Sequence, residues 1–112
     1  MLTKERLDQL FALRAAAKAE ERQVDDEFRK LWGYDCFDRE ASEIAGRHLT
    51  IDRWSALRDC KPGIIAYEEA DRTLSAEERS ELAVMADCED FDAPRLDLLM
   101  DCLEARQRHR TH

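Results

Sequence analysis

The chain has 112 residues, of which 44% are hydrophobic and 39% are charged, with only three glycines and two prolines. This length suits one domain, and so few turn-forming residues argue against a sandwich or barrel, so the sequence predicts an all-α fold. The formal net charge of −8 disfavours bare nucleic acid as a partner. We expect a small bundle of five or six helices over residues 1–105 and a frayed basic tail at residues 106–112.

The apolar runs and the cysteine spacing indicate the cellular compartment of the protein. No apolar run approaches the roughly 18 residues that span a bilayer, and residues 1–20 lack the features of a secretory signal. The four cysteines contain no C-x-x-C pair, so we expect reduced thiols in a cytoplasmic protein, with two disulfides as the alternative if the protein is exported. They are Cys36, Cys60, Cys88 and Cys102.

A long first helix is predicted between a Thr3 cap and a stop at Gly33. Its apolar residues fall mostly at heptad spacing, although Arg14 and Glu21 occupy core positions in the middle. About 29 helical residues span ~43 Å, which is longer than a compact domain of this size. We expect a second copy to cover the seam, the alternative being a break near residues 15–19. The predicted dimer interface comprises Leu7, Leu10, Ala17, Val24, Phe28 and Leu31.

Three short helices are predicted next. Asp38 caps the first of them, Thr50 begins the second, and the Lys61-Pro62-Gly63 segment ends it. Residues 64–73 form the third, with a strand as the alternative. The apolar face of the Asp38-capped helix is predicted to consist of Phe37, Ala41, Ile44, Ala45 and His48, and that of its successor to consist of Ile51, Trp54 and Leu57.

Two further helices follow. Ser75 and Glu78 form a capping box, and the uninterrupted apolar run over residues 82–86 predicts that this helix is enclosed from several sides. A last helix is predicted to open at residues 92–94 because Pro94 suits a first turn. Its core face has the i, i+3, i+4, i+7 spacing and consists of Leu96, Leu99, Met100 and Leu103.

Acidity is concentrated in one part of the chain. Residues 62–103 hold 12 acidic and 3 basic side chains. Charge runs usually face water, but a dense carboxylate face also attracts a basic partner. We therefore expect a non-enzymatic protein that binds, and inhibits or regulates, a nucleic-acid-binding protein or complex, as phage-encoded anti-CRISPR proteins and DNA mimics do. The predicted partner-binding residues are Glu68, Glu69, Asp71, Glu77, Glu78 and Glu81.

Two other functions are compatible with the sequence. Residues 38–60 have the apolar spacing of a helix-turn-helix, so a dimeric DNA-binding regulator is one alternative. Its phosphate contacts would come from Arg47, Arg53 and Arg58. The other is a structural subunit that assembles through the first helix.

Catalysis and metal binding have no sequence signature here. We expect neither a cofactor nor a metal, because His48 has no nearby ligand set and the cysteines lack close ligand spacing. We interpret His48 as a partly buried structural residue. Phosphate-loop, nucleophile-elbow and metalloprotease motifs do not occur in the chain.

Overall fold

The computed structural model describes residues 1–87 and 95–110, with the backbone alone for residues 109 and 110. This part of the chain is all-α, contains no strand, and has a long N-terminal helix, as predicted. Its six helices are α1 (Lys4–Trp32), α2 (Arg39–Ala45), α3 (Arg47–Arg58), α4 (Pro62–Thr73), α5 (Ala76–Ala86) and α6 (Leu96–Arg110).

Helix α1 has the predicted ends. The Thr3 hydroxyl accepts a hydrogen bond from the Arg6 N–H at 3.0 Å, which satisfies one of the free donors of the first turn. Gly33 has a φ of 79°, a left-handed conformation that ends the helix without steric cost. The helix is continuous between them, so the alternative of a break near residues 15–19 is wrong.

Local capping chemistry also sets the starts of α2 and α5. The Asp38 carboxylate accepts from the Ala41 N–H at 3.0 Å, and Ser75 and Glu78 form both hydrogen bonds of a capping box. Pro62 is the first residue of α4, where its missing N–H costs no helical hydrogen bond. The two predicted caps are confirmed, and the 64–73 segment is helical rather than a strand, although α4 begins two residues earlier than predicted, at Pro62.

The start of α3 differs from the prediction. The helix begins at Arg47 because Gly46, with a φ of 102°, both ends α2 and starts α3. Thr50 therefore lies inside the helix, where it is buried and its hydroxyl is 2.8 Å from that of Tyr34. The prediction that Thr50 begins a helix is wrong.

The chain divides into two compact units, residues 12–68 in one and residues 1–11 with 69–112 in the other. We call the unit that contains both termini unit 1 and the central one unit 2. The single domain expected over residues 1–105 stays a prediction. The described core of unit 1 consists of Leu10, Ala70, Leu74, Leu82, Ala86, Leu96, Leu99, Met100 and Leu103, and that of unit 2 consists of Ala17, Val24, Phe28, Ile64 and Tyr67 together with buried Arg14, Ser42 and Thr50.

Burial in the short helices departs from the apolar pattern. Phe37 and Ile44 are 70% and 82% exposed, and His48 is also exposed, so neither the predicted core face nor the buried histidine is found. Helix α2 has only seven residues, too few turns for apolar periodicity to define a face. Its buried residue is Ser42.

Helix α5 is not enclosed as predicted. Leu82 and Ala86, one turn apart, are buried, but Val84 is 79% exposed and Met85 is 43% exposed. A helix packed from one side buries one stripe, and the apolar run over residues 82–86 continues beyond that stripe.

Helix α6 buries the predicted face. Its predicted opening at residues 92–94 lies outside the described residues, as does Cys88. The helix continues to Arg110, and the Arg106 guanidinium donates to the Met85 carbonyl at 2.8 Å. The basic segment over residues 106–110 is therefore helical, whereas a frayed tail was expected.

Candidate functional site

Several of the predicted partner-binding carboxylates contact other side chains of their own unit. Glu68, in unit 2, accepts from Arg58 at 2.8 Å. In unit 1, Asp71 accepts from the Arg79 guanidinium at 3.0 Å and lies 3.4 Å from the Leu96 N–H. A carboxylate that holds a guanidinium and a helix start is less available to a partner.

Glu78 and Glu69 are also engaged within their own unit. Glu78 completes the capping box of α5 and lies 3.4 Å from the Arg6 guanidinium. Hydrogen bonding to the Ser75 N–H and the nearby Arg6 charge hold the pKa of Glu78 below its usual value, although its partial burial opposes this. Glu69 pairs with Arg72, one turn away. Glu78 is therefore a poor candidate for a docking site, whereas the Glu69 pair is exposed on both sides and weak.

Glu77 and Glu81 differ from the other four. Glu77 is mostly exposed, and its ion pair is with the terminal amino group at 3.7 Å, itself almost fully exposed. Glu81 accepts from the backbone N–H of Leu2. The Glu77 pair is weak in water because both of its groups stay solvated. The Glu81 contact is partly buried, so Glu77 is the freer of the two to exchange its contact for a cation from a partner.

Exposed Glu77 and half-buried Glu81 lie on α5 beside apolar surface. Glu81 and Met85 follow Glu77 at intervals of four residues, which places all three on one helix face. Next to them is a depression of about 430 Å³, lined by Leu2, Ser80, Glu81, Val84 and Met85. We call this set together with Glu77 the α5 face. It combines exposed apolar side chains with carboxylates.

Only two of the six residues of the α5 face were predicted from the sequence as partner contacts. Glu77 and Glu81 were predicted partner contacts, whereas Val84 and Met85 were assigned to the core. The helical spacing did indicate that Met85 is exposed. Met85 lies four residues after Glu81, on the same helix face as Glu77 and Glu81, and carboxylates favour contact with solvent.

Net charge is also unequal between the units. By sequence, unit 1 has 14 acidic and 8 basic side chains, a net charge of −6, and unit 2 has 12 acidic and 10 basic, a net charge of −2. Internal ion pairs rearrange this charge locally but do not change its sum. Unit 1 therefore has a negative electrostatic potential that extends beyond its individual ion pairs, up to the Debye screening length of the solution.

The predicted dimer seam is mostly covered within one chain. Leu10, Ala17, Val24 and Phe28 are buried without a second copy, and Leu7 is half-buried. Only Leu31 is largely exposed. The dimer stays a prediction, but four of its six residues present no surface to a partner.

The 38–60 segment lacks the helix-turn-helix arrangement. A single residue, Gly46, joins α2 and α3, whereas that motif has a turn of three or four residues. Arg53 lies over the Trp32 ring at 3.6 Å, and Arg58 holds Glu21 and Glu68. Of the three predicted phosphate-contacting arginines, only Arg47 has no contact of this kind in the described structure.

Metal ligands are not grouped in the described residues, and the Cys36 thiol is not activated. No group of three or more His, Cys, Asp or Glu side chains in this part of the chain could hold a metal ion. Burial and then the charge and hydrogen bond of Asp25 raise the pKa of Cys36 to about 12, so the thiol stays protonated near neutral pH. Cys36, Cys60 and Cys102 are free.

Comparisons with protein-family models, curated proteins and solved structures give no significant match. Among the described helices, none has the length and apolar character needed to cross a membrane. The fold therefore defines the class of small all-α proteins, and any assignment of function depends on the chemistry of its surfaces.

Proposed function

We propose that this is a non-enzymatic interaction protein whose α5 face binds a basic amphipathic helix of another protein. The partner is a nucleic-acid-binding protein or complex, which the interaction inhibits or regulates. One observation carries the proposal: exposed Val84 and Met85 adjoin Glu77 and Glu81 in a unit with a net charge of −6. A cytoplasmic location is part of the proposal, and the free thiols support it.

The apolar part of the α5 face supplies the affinity in this proposal. Val84 and Met85 leave apolar surface in water, and covering it with a partner's aliphatic side chains is favourable. The flexible Met85 side chain can adapt to different neighbours, as methionines do in helix-binding grooves. An amphipathic helix offers the matching stripe, with residues at i, i+3, i+4 and i+7.

The carboxylates supply selectivity for a basic helix. Lysine or arginine flanking the apolar stripe of that helix can contact Glu77 and Glu81, and the net charge of unit 1 speeds the encounter. Nucleic-acid-binding proteins are rich in such basic segments because phosphate contacts require them. The proposal is compatible with an inhibitor, of the kind phages encode, that occupies a basic nucleic-acid channel.

A labelled synthetic helix of leucine and lysine at amphipathic spacing tests the α5 face. We expect fluorescence anisotropy to detect binding to the full chain. The double substitution Glu77→Gln and Glu81→Gln should weaken binding and flatten its salt dependence. Val84→Ser should weaken it about tenfold through lost apolar contact, with the salt dependence unchanged.

Matched controls come from unit 2. Glu40→Gln with Glu43→Gln makes the same change in net charge on α2, and Ile44→Ser removes an equally exposed apolar side chain. Neither should alter peptide affinity by more than about twofold. Equal losses from the α2 and α5 variants, or no binding of the peptide by the parent protein, would contradict the proposed function.

A further inference from the structure

A second surface, in unit 2, has a different chemistry. A depression of about 360 Å³ opens where α2 meets α3, and its lining includes Arg39, Arg47, Ser42 and Phe37. Arg39 and Arg47 are the first residues of α2 and α3. The positive charge of an arginine beside the positive end of a helix dipole destabilises the protein when no ligand is bound. An anion bound in the depression would relieve this repulsion at both arginines.

The start of α3 is open to an anion. Its cap residue, Gly46, contributes no side-chain hydrogen bond, and its first turn contains no acidic residue. The first N–H groups of a helix have no partner within the helix, and together with the dipole they favour phosphate or carboxylate.

The Ser42 side chain independently indicates a ligand. Ser42 is only 5% exposed, yet its hydroxyl makes no hydrogen bond with the described part of the chain. The small exposed part of Ser42 leaves its hydroxyl oxygen open to the depression, where a ligand can replace water as its partner. Ser42 lines the same depression as both arginines, so an anion bound there can accept a hydrogen bond from its hydroxyl.

The other polar groups around the depression are already engaged. The Asp38 carboxylate accepts from the Ala41 N–H, and the Thr50 hydroxyl pairs with that of Tyr34. Arg39 lies 3.5 Å from Glu43, but both side chains are exposed and the pair is weak. Two guanidinium groups and one helix-capping carboxylate, Asp38, line the depression itself, and Glu43 lies outside the lining, so the local charge favours an anion.

We propose that this depression binds the phosphate group of a phosphate monoester. The phosphate receives hydrogen bonds from Arg39, Arg47, the Ser42 hydroxyl and the free N–H groups at the start of α3. The largely exposed Phe37 ring, 6.1 Å from that of Trp54, forms an apolar wall for the organic part of the ligand. A nucleotide and a simple sugar or polyol phosphate share this chemistry.

Amide NMR titration of the full chain tests the proposal with AMP, glycerol 3-phosphate and adenosine as probes. We expect both phosphates to shift the amide resonances of Ser42 and Arg47, and adenosine to leave them unchanged. Tighter binding of AMP than of glycerol phosphate supports a nucleotide, and equal binding supports recognition of the phosphate alone. Absence of shifts with either phosphate at about 10 mM would overturn the proposal.

Two variants connect binding to the named groups. Arg47→Ala should weaken phosphate binding roughly tenfold or more, because it removes a charge-assisted contact. Arg22→Ala makes the same change in charge elsewhere in unit 2, at an exposed residue outside the depression, and should leave affinity unchanged. An equal loss in both variants would indicate nonspecific charge attraction and overturn the site.

Discussion

Replacing Arg58 with alanine removes a side chain that links three helices of unit 2. From α3, its guanidinium donates to Glu68 on α4 at 2.8 Å and to Glu21 on α1 at 3.1 Å, and it lies 5.1 Å from the Trp54 ring. Burial lowers the pKa of Arg58, but hydrogen bonds to the two carboxylates outweigh this and hold it above its usual value. The guanidinium therefore stays charged.

The expected loss follows from two hydrogen bonds. Arg58 is 22% exposed, whereas the Glu21 and Glu68 side chains are 44% and 45% exposed, so solvent screens both pairs. We assign about 1 kcal/mol to each contact, between the values for exposed pairs and buried charge-assisted bonds. The free energy of unfolding should fall by about 2 kcal/mol, which lowers the midpoint by roughly 8 °C for a chain of this length.

Thermal unfolding followed by circular dichroism at the helix band measures the loss. Arg47→Ala is the matched control, since it removes the same side chain from the same helix where the described structure shows no ion pair, and we expect it to stay within about 0.5 kcal/mol of the parent. Arg58→Lys should lose about half as much as alanine, because lysine keeps the charge but not the two-pronged geometry. Equal stability of the Arg58→Ala and Arg47→Ala variants would refute the reasoning.

Three further predictions concern the core, a helix cap and the thiols. Leu10→Ala should cost about 2–5 kcal/mol in denaturant unfolding, because Leu10 is fully buried within one chain; a change in oligomeric state with unchanged stability would instead favour the dimer seam. Ser75→Ala should cost about 1 kcal/mol. Because folding lowers the pKa of Glu78, the stability that its carboxylate contributes is present above pH 4.5 and is lost as the pH falls through the pKa of the folded protein. Glu78→Gln should therefore lower the free energy of unfolding mainly above pH 4.5 and differ least from the parent in acid. Iodoacetamide at pH 8, followed by mass spectrometry, should modify exposed Cys60 before Cys36, whose pKa is about 12; equal rates would contradict the environment described for Cys36.

The candidate site was predictable in part. Glu77 and Glu81 were predicted as two of six partner-binding carboxylates, in a segment that has twelve acidic residues between residues 62 and 103. Their exposure, and the internal engagement of Asp71 and Glu78, depends on contacts made on folding. The depression between α2 and α3 was not predicted, since the apolar pattern assigned Phe37 and Ile44 to the core.

Most of the helices could be located from local sequence patterns. Thr3, Asp38 and Ser75 cap helices through hydrogen bonds that reach only three residues along the chain, and Gly33 ends α1 through its own backbone conformation. Such interactions need no distant partner, so they can be identified in a linear sequence. The long heptad pattern of α1 likewise identifies buried residues because it repeats over many turns.

Tertiary packing sets which faces of the short helices are buried and which charged side chains form ion pairs. Arg58 and Glu21 are 37 residues apart, and Arg6 and Glu78 are 72 apart, separations at which sequence spacing carries no information about direction. A seven-residue helix such as α2 has too few turns to define its inner face. Its orientation is set by packing against other elements, so Ser42 is buried and Ile44 faces water.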